Sequence, residues 1–300
     1  MNRNENNRSN GDKEKMAKVP LSCIIPTMKG REAMLQKLLS TLPEDCEKII
    51  VGDEDLLLAA KRNKGASQAK GEYLFFVDDD NYLKEGALQE MLNSFHQEIG
   101  VMGMTACYDD KKMVVADGGS LRNLLTGFTE GIGTNQKIYD FPYYSWDGVE
   151  DHTTYGVDEA ANAFMIPRHV FEEAGGFDEE NFPIDLDEAD LCKRIKDMGY
   201  KIVYNPRAIC YHKSQTYSHI PNFRRPLNAY FMGRNRQLYQ RKHLNALSYC
   251  VYVAFFCPVF VGFYTASLIW RKNIQMIPPF LKGVFDGLRG CRTNKYQQKL

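Results

Sequence analysis

The sequence has no net charge to spend on a polyanion: 38 Lys and Arg balance 38 Asp and Glu over 300 residues, so composition points away from nucleic acid as a partner. It also has no CxxC spacing and no adjacent Cys/His pairing among its eight scattered cysteines, Cys23, Cys46, Cys107, Cys192, Cys210, Cys250, Cys257 and Cys291. That excludes the usual zinc arrangements and a disulfide scaffold. Several of these thiols lie inside apolar runs, where a free cysteine behaves as a small hydrophobe, and a reducing compartment is the simpler reading. The N-terminus, MNRNENNRSNGDKEKMAK, contains no apolar stretch. No secretory signal is expected there, and its low hydrophobicity predicts a disordered tail over 1–18.

What is present is a strand–helix alternation. Leu21-Ser22-Cys23-Ile24-Ile25 is a short apolar run ended by Pro26 and reads as a buried strand. Arg31 to Leu42 has helical spacing, Lys48 to Val51 is a second strand, Leu57 to Ala69 a helix, and Tyr73 to Val77 a third strand. A helix over about Glu85 to Glu98 and a strand from Val101 to Ala106 follow. The pattern predicts an α/β fold, a mainly parallel mixed sheet flanked by helices, whose ligands collect beyond the carboxyl ends of the strands. Residues 108–156 read as irregular, a length at which loops are often functional. Asn162 to Ile166 reads as a strand, Arg168 to Ala174 and Asp187 to Met198 as helices, and Lys201 to Tyr204 and Ala208 to Tyr211 as two short strands.

Two acidic groups carry the chemistry. Asp78-Asp79-Asp80 ends an apolar strand, where three carboxylates repel one another unless a cation intervenes. Oxygen ligands suit Mg²⁺ or Mn²⁺, although a solvated acidic turn has the same composition. The second group is Asp185-Leu186-Asp187-Glu188-Ala189-Asp190. A carboxylate in a cleft can take the proton of an attacking hydroxyl. Asp187 also suits a helix N-cap, and Asp190 can pair with Arg194 four residues on, which leaves Glu188 without structural work. A calcium loop would need a glycine that is missing. His212, after the last strand, is a candidate metal ligand through a neutral ring nitrogen.

From Leu247 to Trp270 no residue is charged, a length sufficient to cross a bilayer core. Basic residues flank both ends, which sits poorly with a single span under the positive-inside tendency. Pro258 near the middle leaves a single span and a re-entrant hairpin as alternatives. The domain plan is then a tail over 1–18, a catalytic domain over 19–222, an amphipathic basic helical region over 223–246, a transmembrane or re-entrant segment over 247–270 and a basic tail over 271–300. The protein is expected to be membrane-associated with its catalytic domain cytoplasmic.

Over about residues 20–240 these segments resemble the inverting family 2 glycosyltransferases of the GT-A fold, especially the rhamnosyltransferase-like branch. The resemblance is carried by LSCIIPTMKGREAMLQKLLSTL, KIIVGDED, AAKRNKGASQAKGEYLFFVDDD, AANAFMIPRHVFEEAGGFDE and DEADLCKRIKDMGYKIVYNPRAICYHK, in that order. It implies transfer of a sugar from a nucleotide-diphosphate donor to a hydroxyl of a glycan or lipid-linked acceptor. Pro26, Asp53, Arg62, Asp78 and Asp79 would face the nucleotide-sugar. Asp80, with Asp78 and His212, would hold Mg²⁺ or Mn²⁺. Glu188 would be the base, with Asp187 sharing or taking that role, and Asn162 and Asp190 would lie on the acceptor side. Two departures stand out: the order Asp187-Glu188 is the reverse of the family's, and Gly52-Asp53-Glu54-Asp55 replaces its Asp-Asn/Asp-Gly-Ser. A sugar-nucleotide nucleotidyltransferase would carry a Gly-rich basic loop after the first strand, which Pro26-Thr27-Met28-Lys29-Gly30-Arg31 does not supply. A non-enzymatic membrane scaffold of the same fold would have no need of the acidic residues.

Overall fold

The computed structural model describes residues 21–111, 114–140, 154–213 and 225–291. The expected tail over 1–18, the aromatic-rich part of the long loop at Tyr143–Gly148, and the last nine residues of the basic tail, 292–300, lie outside them. In chain order the elements are β1 (Leu21–Pro26), α1 (Glu32–Leu39), β2 (Glu47–Val51), α2 (Leu58–Gln68), β3 (Tyr73–Val77), β4 (Asn81–Leu83), α3 (Ala87–Ser94) and β5 (Ile99–Tyr108). Then come β6 (Val115–Asp117), β7 (Ser120–Arg122), β8 (Thr129–Gly131), β9 (Tyr155–Gly156), β10 (Ala163–Pro167), α4 (Arg168–Glu173), α5 (Asp187–Asp197) and β11 (Lys201–His212). The chain continues through α6 (Pro226–His243), α7 (Ala246–Val251), a π-helical stretch (Tyr252–Phe256), α8 (Cys257–Trp270) and α9 (Ile277–Leu288).

The main sheet runs β2-β1-β3-β10-β5-β11-β4. β1 pairs parallel with β2 and β3, and β5 pairs parallel with β11, while β10 is antiparallel to both β3 and β5. Successive side chains on a strand point to opposite faces, and the core follows that rule. Ile24, Phe76 and Phe164 pack on one face with Phe171, Phe177 and Ile195. Cys23, Ile25, Phe75, Val77 and Met165 pack on the other with Leu38 and Met91. Burial on both faces is why β1, β3 and β10 read as unbroken apolar runs.

β11 is one strand where the sequence suggests two. Its register against β5 shifts between Asn205 and Ile209. Pro206 has no N–H to give the ladder, and the Asn205 side-chain oxygen instead accepts the N–H groups of Arg207 and Ala208. The uncharged segment is likewise one 25-residue helix, Ala246–Trp270, with no hairpin at Pro258. The π-helical stretch directly before the proline relieves the clash between its ring and the preceding turn. One side of this helix packs with α6 and α9 in a separate apolar cluster that includes Tyr252, Phe260, Leu268, Phe280 and Val284. α6 and α9 touch through glycines: a Cβ on Gly283 would stand 2.0 Å from the Tyr230 carbonyl oxygen, and one on Gly233 2.4 Å from that of Phe280.

Candidate active site

The carboxyl ends of β1 and β3 open into a cavity of about 480 Å³, lined by Pro26, Thr27, Arg31, Leu56–Leu58, Lys61, Asp78, Asp79, Asp80, Ile184 and Arg225 among others. The Asp triplet forms one wall. Asp79 is spent locally: Thr27 Oγ1 donates to it at 2.6 Å and Arg31 pairs with its other oxygen, so it ties the β1–α1 turn to the triplet. Arg31 also approaches Asp80 at 3.5 Å, and Lys61 donates to the Thr27 carbonyl at 2.6 Å. These cations were not apparent in the sequence, where Arg31 and Lys61 are two among many basic residues. Their places one turn beyond β1 and beside Arg62 are the only signal.

Arg62 is the hub. Fully buried on α2, its guanidinium meets Asp78 at 2.9 Å, Asp187 at 2.7 Å and Glu188 at 2.8 Å. Residues far apart in sequence thus converge because α2 lies against the segment leading into α5, where the Ala59 N–H donates to the Pro183 carbonyl, and Arg62 reaches Asp78 just beyond β3. One cation cannot compensate three carboxylates, so the arginine stays firmly charged while the acids resist ionisation. Burial, reinforced by the neighbouring Asp187 and Asp78, pushes Glu188 up to about 8 against the pull of Arg62. Burial likewise raises Asp78 and Asp187. Glu188 keeps 18% side-chain exposure and Asp187 only 1%, so Glu188 is the member of that pair open to a second molecule.

The expected cap at Asp187 is not formed. Leu186 is the N-cap, without any side-chain cap bond, and Asp187 turns inward to Arg62, leaving its Oδ1 without a hydrogen-bond partner. Glu188 in turn is not idle, since it shares the same guanidinium. Asp185 and Leu186 both adopt positive φ, 68° and 63°. The Asn235 side-chain amide on α6 braces this turn by donating to the carbonyls of Ile184 and Asp185, at 2.6 and 2.8 Å.

Asp80 and His212 stand on the far side of the triplet, with His212 Nε2 3.5 Å from Asp80 Oδ1. β11 pairs antiparallel with β4, placing His212 opposite Asn81, which delivers the imidazole to the triplet. Burial works against ionisation of Asp80, yet His212 and Arg31 hold its carboxyl below the usual range. Burial also disfavours the charged imidazole, but Asp80, backed by Asp78 and Asp117, draws His212 above its ordinary value. Among the described residues no three His, Cys, Asp or Glu side chains are gathered as a ready-made metal cage. The Asp80 carboxylate is a hard oxygen donor of the kind Mg²⁺ or Mn²⁺ takes, with the borderline imidazole of His212 3.5 Å away and positions left for substrate oxygens, so these residues fit such an ion.

The other expected residues are placed less directly. Asp53 lies just beyond β2, outside the cavity lining, and pairs with Lys64 at 2.5 Å. Asn162 backs the triplet: its carbonyl accepts the Asp78 N–H and its side chain donates to Asp117. Asp190 is completely buried beneath α6, where Arg194, Lys242 and His243 surround it. Burial alone would raise it, but those partners hold it down to about 2.

Residues 27–113 match the family model described as "Glycosyl transferase family 2". Among solved structures, Staphylococcus aureus TarS 1–349 in complex with UDP-GlcNAc is 14% identical with a TM-score of 0.51, covering 90% of this chain and 81% of that one. GalNAc-T7 with UDP, GalNAc and Mn²⁺ is 12% identical with a TM-score of 0.50, covering 73% and 51%. A curated relative, the uncharacterized protein y4gI of Sinorhizobium fredii (strain NBRC 101917 / NGR234), is 24% identical over 157 residues. That alignment takes in 51% of this chain but only 16% of the relative's length. The chain therefore has the GT-A fold, and its residues 27–113 match the glycosyl transferase family 2 model.

Proposed function

We propose that the protein is an inverting glycosyltransferase that moves a sugar from a nucleotide-diphosphate donor to an acceptor hydroxyl at a membrane surface. The observation that carries this reading is the convergence of Asp78, Asp187 and Glu188 on Arg62 at the edge of a cavity walled by Asp78–Asp80. Glu188, the more exposed of the two neighbouring acids on Arg62, is suited to general-base work in its ionised form, which the guanidinium favours against burial. Glu188 accepts the acceptor's O–H proton as that oxygen bonds to the anomeric carbon. The bond from that carbon to the donor's phosphate oxygen breaks on the opposite face, and the nucleoside diphosphate leaves with the electron pair. Mg²⁺ or Mn²⁺, held through Asp80 and His212 with Asp78 beside them, would offset the charge that grows on the diphosphate. Arg31 and Lys61 bring positive charge to the same cavity. The complexes of GalNAc-T7 with UDP and Mn²⁺ and of TarS with UDP-GlcNAc support a nucleotide-sugar donor by analogy of fold. The apolar C-terminal helix supports membrane association, and so a lipid-linked or surface glycan acceptor; on this reading the catalytic domain faces the cytoplasm.

Thermal unfolding in the presence of nucleoside diphosphates tests the donor site directly. At a hundredfold excess over its dissociation constant a ligand stabilises by about 2.7 kcal/mol. UDP or GDP with Mn²⁺ should raise Tm measurably in the parent, and Asp80→Ala should lose the Mn²⁺-dependent part while melting normally without ligand. If no nucleoside diphosphate shifts Tm with Mn²⁺ present, the donor assignment is wrong.

A further inference from the structure

The Ala246–Trp270 helix is long and apolar enough to cross a bilayer, but its neighbours forbid a crossing. Midway along it, the Arg236 guanidinium lies 4.4 Å from the Phe260 ring centroid, and the Tyr252 hydroxyl donates to Gln237 at 3.0 Å. Both partners are on α6, which is itself locked to the catalytic domain. Arg236 donates to the Gly127 carbonyl, Arg234 to that of Asn181 and Asn235 to that of Ile184. With the helix centre at the bilayer midplane, these arginines and the loops they hold would sit in hydrocarbon, where ionised groups and loop backbone are not tolerated.

The opposite face of the same helix is bare. Leu247, Phe255, Val259, Phe263 and Trp270 are exposed, three of them at steps of four residues, and the stripe contains no charge. Ile274, Leu281 and Phe285 extend the exposed apolar surface beyond it. Charge is distributed to match. Residues 223–300 contain thirteen Lys and Arg against a single acidic residue, Asp286, so the compensating acid of this neutral chain lies entirely in 1–222.

We propose that this helix lies in the plane of an anionic membrane surface, its Leu247–Phe255–Phe263–Trp270 stripe among the acyl chains and its basic flanks at the headgroups, with the catalytic domain and the C-terminus on one side. A helix with one apolar and one protein-bound face sinks only about 5–10 Å, to the headgroup boundary. The inference rests on the membrane association proposed above and specifies its geometry.

Flotation with sealed, preformed vesicles tests both. The full chain should float with phosphatidylcholine–phosphatidylserine vesicles and about tenfold less with phosphatidylcholine alone, since each basic residue near the surface adds attraction. Phe255→Asp with Phe263→Asp should abolish flotation without changing Tm, because both side chains are exposed. Cys291, which is exposed, should react with a membrane-impermeant maleimide on intact vesicles as fast as after detergent. Flotation with Cys291 protected until detergent is added would overturn the in-plane geometry alone. No flotation, or a vesicle-free dimer that the double substitution converts to monomer, would overturn membrane association as well.

Discussion

Replacing Arg62 by Met keeps most of the buried volume and removes the one cation that three carboxylates share. Asp78, Asp187 and Glu188 lie 2.7–2.9 Å from its two terminal nitrogens, so the loss leaves like charges facing one another in a site with little water. Removing one partner of a buried ion pair typically costs about 3–5 kcal/mol. A domain of this size loses roughly 2–4 °C of Tm per kcal/mol, so a fall of about 6–20 °C is expected near pH 8. The sign of the pH dependence follows from the raised folded-state pKa values. An acid with a raised pKa contributes stability that is complete below its unfolded value and is lost as pH climbs through the folded one. Without Arg62 the three acids move further up, and they carry their protons comfortably near pH 5, so the deficit relative to the parent should shrink there. The assay is a melting curve of parent and Arg62→Met at the two pH values. A deficit under about 2 °C at both, or one that is larger in acid, would show that the guanidinium does not organise the cluster.

Glu188→Gln keeps the shape and removes the basicity, and should lower turnover by about 10² to 10⁴. Asp187→Asn should keep most of its turnover, because its amide oxygen can still meet Arg62. Inactivity of a normally melting Asp187→Asn, with Glu188→Gln active, would transfer the base role to Asp187. Gly283→Ala drives a methyl to within 2.0 Å of the Tyr230 carbonyl oxygen, backbone that cannot swing aside. It should destabilise by about 1–3 kcal/mol as overpacking does, whereas Gly262→Ala, with nothing within 4 Å, should not. Equal melting temperatures would mean that α6 and α9 do not need their glycine contact.

The sheet was legible because β1, β3 and β10 are short apolar runs, and their buried faces left the pattern unbroken. The acidic triplet stood out as three mutually repelling carboxylates after an apolar strand, a composition that a solvated turn shares. What the linear pattern hid was partnership. Nothing in the composition around Arg62 says that it meets Asp187, 125 residues away, or that Asp190 is taken up by Lys242 and His243 of α6. The capping expectation at Asp187 failed for the same reason: a local rule yielded to a buried cation. Pro258 left a continuous helix and a hairpin as alternatives because a π-helical stretch, which lets a helix absorb a proline, leaves no mark in the sequence.

The turn before α5 links the two halves of the molecule. Asp185 and Leu186 hold left-handed conformations in succession, and each non-glycine residue in that region costs on the order of 1 kcal/mol or more. Directly after them Asp187 turns inward while Glu188 keeps 18% side-chain exposure, one residue apart on the same arginine. The brace is not within the sheet but on α6, through the two bonds from Asn235. α6 is in turn packed against the apolar helix through Arg236 and Gln237 and against α9 through Gly233. A single helix therefore bears the apolar C-terminal layer on one side and the turn carrying Glu188 on the other. On the proposed in-plane geometry a lipid-held acceptor would meet the carboxylate at a height set by that one helix, and the C-terminal layer would serve as a gauge for the site as well as an anchor for the domain.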